Sequence, residues 1–318
     1  MRSSIIVVAS FFVTIAIGRP VPASESAAKP AIRPTAIHIP AGALTRPLVY
    51  AFLNNAVITA SGPLTVGGPP PPAAPGSQSL FGAQVPLIHL LHCNNVTVQF
   101  LDIDLANQPW IGIGTEKCTG CTIKGNSIHN VGTGVCAAIF ALGDKNSVWE
   151  TNTIDATGAG VRGMWIGNVH SADLETSPTL ARNLVTHCGA TGIGVTAVDA
   201  VVRCNESSSN QGAGIAISGS PKPLVASLRG VVEANHCDGN QFHGIQLDAY
   251  TAANLNTYPI VGTIIRGNSV PNNKHTGIYV AGGSNCTIIG NWGDGNPDGL
   301  YRVTHSFYCT VDGVLVCD

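Results

Sequence analysis

Asp199 and Asp248 each follow a short apolar run, two repeats apart along the chain, and His243 directly precedes the second run. Strand spacing would place carboxylates two rungs apart on the order of 10 Å from each other. Inverting hydrolysis of a glycosidic bond uses an acid and a base carboxylate ~6.5–9.5 Å apart, with a water between them. Abstraction of a proton beside a sugar carboxylate needs instead a His, Lys, Arg or Tyr base and a group that neutralises that carboxylate. His243, His170, Arg162 and Tyr279 qualify by type, and Asp173 and Glu175 share the loop of His170. The candidate catalytic set is therefore Asp199, Asp248, His243 and His170. Phe140, Trp165, Gln246, Tyr279, Tyr301, Arg162, Asp173 and Glu175 form the candidate binding set, since aromatic faces stack on the apolar faces of sugar rings.

The elements that must position these side chains repeat. Asn126, Asn152, Asn183, Asn205, Asn235, Asn268 and Asn291 each precede, by eight to twelve residues, a small residue that opens an apolar run. From Asn183 to Asn268 that offset is always nine, while successive Asn residues lie 22 to 33 apart. A fixed offset with a variable spacer indicates one preserved turn and one tolerant loop per repeat. The runs are short, β-branched and closed by Gly, Asn or Ser, which predicts strands rather than helices. One such unit cannot bury its inward face alone, so neighbours stack. Ile139, Met164, Ile193, Ile215, Ile245, Ile278 and Leu300 are expected to face the core, and Phe140, Trp165, Gly194, Ala216, Gln246, Tyr279 and Tyr301 to face outward in one column.

Segments such as IRGNSVPNNKHTGIYVAGGSNCTIIGN (residues 265–291) and VEANHCDGNQFHGIQL (residues 232–247) resemble coils of the right-handed parallel β-helices of the pectate-lyase-like superfamily. The resemblance spans roughly residues 87–302. It implies an all-β, single-stranded solenoid with an inward Asn ladder at a tight turn, and polysaccharide bound along the Gly-led sheet. Asn tolerates left-handed backbone, and a stacked amide is a partner for the next. The chain departs from the family's usual catalytic segments. Phe242-His243-Gly244 is similar to the Gly-His-Gly segment of polygalacturonases, but their Asn-Thr-Asp, Asp-Asp and Arg-Ile-Lys segments are absent. So are the acidic calcium cluster of pectate lyases and the Asp-Pro-His-Asp segment of mannuronan epimerases.

Composition bounds the alternatives. The 318 residues are 44% hydrophobic and 11% charged, with 37 Gly and a net charge of −2. That balance fits one long solenoid core and gives nucleic acid no basic surface. Met1-Arg2 followed by the apolar stretch from Ile5 to Ile17 reads as a signal peptide over residues 1–23, too short to span a bilayer. Residues 24–36 read as a flexible lead-in, 37–302 as the β-helix and 303–318 as a capping hairpin turning at Asp312-Gly313. The expected product is secreted and monomeric, with no membrane partner. Ten Cys fit an oxidising compartment. Cys93 and Cys118 fall eight residues before Leu101 and Asn126, which puts them on adjacent rungs within bridging range, and Cys309 and Cys317 flank the terminal turn. Cys121 and Cys286 share a column but lie six rungs apart. Asn95 and Asn285 are the expected glycan acceptors in a eukaryotic host, whereas the sequon at Asn205 falls in the ladder. No cofactor is expected. Asp102 and Asp104 share a strand face, but calcium takes six or more oxygens.

Two functions from different classes follow. One is a polysaccharide lyase or glycoside hydrolase acting on a linear acidic or cell-wall polysaccharide. The other is a non-catalytic β-helix that binds glycans or serves as a surface or wall protein.

Overall fold

The computed structural model describes residues 33–71, 84–167, 175–219, 227–248 and 260–316. The expected signal peptide, most of the lead-in, His170, Asp173 and Cys317 lie outside these residues. Short strands of two to seven residues run in sequence through three long sheets of twelve, seven and ten strands, and each coil stacks on the one before it. Strand pairing is parallel throughout the stack, so the chain is a parallel β-helix. The first paired strand is Thr35–Ile39 and the last parallel one is Cys309–Val311. The latter also pairs antiparallel with Val314–Val316 across the Asp312-Gly313 turn, which covers the final edge.

Period-two alternation sends one column of each sheet inward. In the twelve-stranded sheet that column is Ile123, Trp149, Leu180, Val202, Val232, Ile265 and Ile288, all fully buried. Each such side chain contributes about 1.5–3 kcal/mol by burial, and the column supplies its neighbours at strand spacing.

The turn between the twelve- and seven-stranded sheets carries the Asn ladder. Asn126 Oδ1 accepts from the Leu101 backbone N–H at 3.1 Å, which fixes the amide orientation. From Asn126 through Asn291 each Nδ2 donates to the next Oδ1 at 2.8–3.0 Å, and a second donation goes to a backbone carbonyl such as Val98 O or Val202 O. The left-handed backbone is not at the Asn itself. It belongs to the preceding residue, for example Gly125 at φ 62° and Thr151 at φ 54°, which turns the chain so that the amide points inward. A second ladder, unforeseen from the repeat, runs from Asn210 through Asn240 and Asn273 to Asn296.

The turn from the ten-stranded sheet into the next coil has two distinctive columns. Its inward column includes Cys93, Cys118, Asp144 and Glu175 on successive rungs, all buried. Two residues later, an outer column of left-handed residues holds Asn95, Asn146, Ser177, Asp199, Arg229 and Asn285.

Candidate functional site

The outward column of the ten-stranded sheet reads His89, Gly114, Phe140, Trp165, Gly194, Ala216, Gln246, Tyr279 and Arg302. Its last member corrects the expectation for Tyr301. Tyr301 pairs with Ile278, half-buried in the inward column, and its hydroxyl donates to Asn291 O at 3.1 Å. The reason is the offset of nine, which from Asn291 lands on Leu300 rather than Gly299 and moves the final strand by one position. Arg302 thereby takes the outward place beside Tyr279.

The upstream aromatics are not a free stacking floor. Phe140 is only 7% exposed. Trp165 lies against bare backbone, since a Cβ on Gly194 would come within 2.7 Å of its ring, and the Arg162 guanidinium sits 3.9 Å from its centroid. That cation–π pair occupies both residues with each other. Burial holds the Arg162 pKa below its usual range.

Around part-exposed Tyr279 the described residues are chemically dense. His243, from the rung before, stacks on the Tyr279 ring at 4.6 Å and 17°. Arg302, from the rung after, places its guanidinium carbon 6.0 Å from the same ring. Arg302 is exposed and has no carboxylate partner among the described residues. The Tyr279 hydroxyl lies 3.2 Å from Thr304 Oγ1. His243 is buried, and its Nδ1 accepts from the Thr276 backbone N–H at 3.2 Å. Burial first, then the charge of nearby His275, lowers its pKa to about 4, so the ring is neutral near pH 7. Gln246 Nε2 donates to Asp248 Oδ2 at 3.2 Å in the next outward column. His275 and Asp298, absent from the sequence-derived set, form a pair at 3.2 Å, with His275 edge-on to Phe242. Both lie seven residues past their ladder Asn and two before the strand start, so the fixed offset already held them in one column, but the sequence-derived set followed the Gly-led strand and what comes after it.

Several expected members are elsewhere. Asp199 belongs to the outer turn column, three positions past the column of Asp248, and Arg229 on the next rung holds its carboxylate at 2.7 and 2.9 Å. That guanidinium lowers the Asp199 pKa, and the expected Asp199–Asp248 acid/base pair is not assembled. Glu175 is not a groove residue. The Glu175–Thr176 strand points it inward at 1% exposure, with both carboxylate oxygens unpartnered among the described residues. Burial raises its pKa well above the usual range, and raises that of neighbouring Asp144 to about 7. Asp102 and Asp104 flank His129 at 3.2 and 3.8 Å on the surface of the seven-stranded sheet. Among the described residues no group of three or more His, Cys, Asp or Glu is arranged to hold a metal ion, and no helix is long and apolar enough to cross a membrane.

Cys93 and Cys118 are adjacent and in register, with Thr119 N–H donating to Cys93 O at 2.9 Å, and both, like Cys286 and Cys309, are unbridged thiols in this structure. Cys309 is buried and faces away from solvent, next to Cys286. Asn95 and Asn285 are exposed, whereas Asn205 is 1% exposed inside the ladder.

A family model described as a right handed beta helix region matches residues 82–227 and 223–316. Among solved structures, the Dettilon tailspike protein gp208 is similar with a TM-score of 0.63 at 14% identity, over 87% of this chain and 55% of that one. The chain thus spans just over half the length of the tailspike. A double mutant of the periplasmic alginate epimerase AlgG gives 0.55 at 13%, over 87% of this chain and 76% of the other. An exopolygalacturonase from Thermotoga maritima gives 0.55 at 14%, over 88% and 80%. At such identities the likeness is one of fold. No curated protein matches the chain in sequence.

Proposed function

The chain belongs to the right-handed β-helix family, and on that premise we propose that it is a secreted carbohydrate-active enzyme that cleaves a linear acidic polysaccharide by elimination at the Tyr279 end of its ten-stranded sheet. The observation that carries the reading is Tyr279 set between a neutral His243 and an exposed Arg302 that has no carboxylate partner among the described residues. A guanidinium grips a sugar carboxylate through paired hydrogen bonds and acidifies the adjacent C–H. Tyr279 serves as the base that takes the C5 proton through its phenolic oxygen. The C4–O bond breaks as the C4–C5 double bond forms, and the phenol returns that proton to the departing glycosidic oxygen. His243, capped at Nδ1, keeps its proton on Nε2 and acts as a neutral hydrogen-bond donor and a support for the Tyr279 ring. Elimination is favoured over hydrolysis because the two-carboxylate arrangement that hydrolysis needs is replaced by the Asp199–Arg229 ion pair. The similar structures include an alginate epimerase and an exopolygalacturonase, which supports an acidic polysaccharide as the substrate class. Secretion rests on the hydrophobic run after Met1-Arg2.

The burial of Phe140 and the covering of Trp165 favour a second reading, in which the short open patch binds glycan without turnover. The full chain, incubated with polygalacturonate, alginate, glycosaminoglycans and neutral glucans, separates the two. Ultraviolet absorbance of an unsaturated product with the acidic polymers supports elimination. Binding with neither unsaturation nor new reducing ends supports the second reading.

A further inference from the structure

We infer that Cys286 and Cys309 form a disulfide that fastens the last parallel rung and its terminal hairpin to the solenoid. The two residues are in register on adjacent strands: Thr287 pairs with Thr310, and the Thr310 N–H donates to Cys286 O at 2.9 Å. Adjacent strands hold such Cα atoms ~4.8 Å apart, inside the range that a disulfide spans. Both side chains are fully buried and point to the same place. A Cβ built on Gly283 would lie 3.2 Å from Cys286 Sγ and 3.4 Å from Cys309 Sγ, so the sulfurs crowd one point above a residue that has no side chain. Cys121 shares their column but lies six rungs away, so it cannot compete.

The pairing is cleaner here than at Cys93 and Cys118, where the nearby Cys121 sulfur also approaches the Cys93 carbonyl at 3.8 Å. It also replaces the Cys309–Cys317 bridge expected from sequence. Across the hairpin, Cys309 pairs with Val316, and its own side chain is committed to the core beside Cys286.

The oxidant is a small disulfide such as oxidised glutathione. The Cys309 thiolate attacks one of its sulfurs and expels a glutathione thiolate. The Cys286 thiolate then attacks Cys309 Sγ in the mixed disulfide and expels the second. Two protein thiols lose two protons and two electrons, and one glutathione disulfide becomes two thiols. Since both sulfurs are buried in the finished fold, the exchange takes place while the terminal rung is open, during folding or fraying of the chain end.

The test is oxidative refolding of the full chain in a glutathione buffer, alkylation of free thiols, and tryptic mass mapping without reduction. Cleavage after Lys274 and Arg302 isolates Cys286 on one peptide and places Cys309 with Cys317 on the other. The expected result is a linked pair of these peptides that persists in Cys317→Ser and vanishes in Cys309→Ser. The bridge should also raise the thermal midpoint over the reduced protein by roughly 5 °C. A linked pair lost in Cys317→Ser, or Cys286 and Cys309 both alkylated after oxidation, overturns the proposal.

Discussion

The Thr276 backbone N–H caps Nδ1 of His243, and Tyr279 stacks on the same ring. A folded pKa of about 4 against an unfolded value of ~6.5 means the folded state favours neutral His243. Its contribution to stability is present above pH ~6.5 and is lost as pH falls through about 4. Denaturant titrations of the wild type and His243→Asn across this window should diverge by roughly 1–2 kcal/mol, with the variant less acid-sensitive. Parallel curves would show that His243 is not held neutral.

At the proposed centre, Tyr279→Phe removes only the hydroxyl, so fold and thermal midpoint should stay close to wild type while kcat on the acidic polymer falls at least ~100-fold. Arg302→Ala should raise KM and lower kcat together, and Arg302→Lys should recover part of the loss, because an ammonium keeps the charge but not the two-point grip. Initial rates on a uronate polymer check both. A Tyr279→Phe enzyme with undiminished kcat would remove the phenol from the mechanism.

Asp144 and Glu175 stack on neighbouring rungs in the inward turn column, and neither has an ion pair with a cation among the described residues. Their folded pKa values are raised, Asp144 to about 7 and Glu175 well above normal, chiefly by burial. The folded state thus binds more protons than the unfolded state above pH ~4, and stability falls as pH rises through about 7. Glu175→Gln should flatten that alkaline slope and stabilise the protein at pH 8 by roughly 1–3 kcal/mol. Thermal midpoints between pH 5 and about 9 would reveal it, and an unchanged slope would count against the buried pair.

In the ladder, Asn235→Ala removes the acceptor of the Asn205 backbone N–H and of one Asn205 Nδ2 hydrogen and the side-chain donor to Val202 O, while Asn268 Oδ1 keeps the residue-235 backbone N–H. Leaving several buried groups unpaired should cost about 3 kcal/mol or more, measured by denaturant midpoint. Asn291→Ala, at the last rung of the same ladder, where Nδ2 donates to Ile265 O and to no further amide among the described residues, should cost less. Equal losses at both positions would mean that the interior amides gain nothing from their neighbours.

How much of this was legible follows from what the repeat encodes. Gly192, Gly214, Gly244 and Gly277 lie at a constant offset from their Asn, so register, inward Ile column and outward Gln246 and Tyr279 can be read directly from the chain. The offset of nine also held the correct place of Arg302, but Gly299 offered a more conspicuous strand start than Leu300. Glu175 and Asp199 could not be placed that way. They lie after the Gly-led strand, where spacer length varies, and whether such a residue points inward or sits at the outer turn depends on the next rung's pairing. The second ladder escaped notice for a similar reason: Asn210, Asn240, Asn273 and Asn296 lie only five residues past the first column and have no counterparts in the earlier coils.

Both ladders run the same way, with every Nδ2 aimed at the oxygen of the following rung. Side-chain amide dipoles therefore add along the axis, with the oxygen-bearing end toward the first coil and the nitrogen-bearing end toward the last. The solenoid is electrically polar, and its two ends are not interchangeable as templates. A duplicated coil inserted in register would extend both dipole rows, whereas a coil docked in the reverse sense would bring like ends of two amides together. Growth of this fold by repeat duplication has a built-in direction.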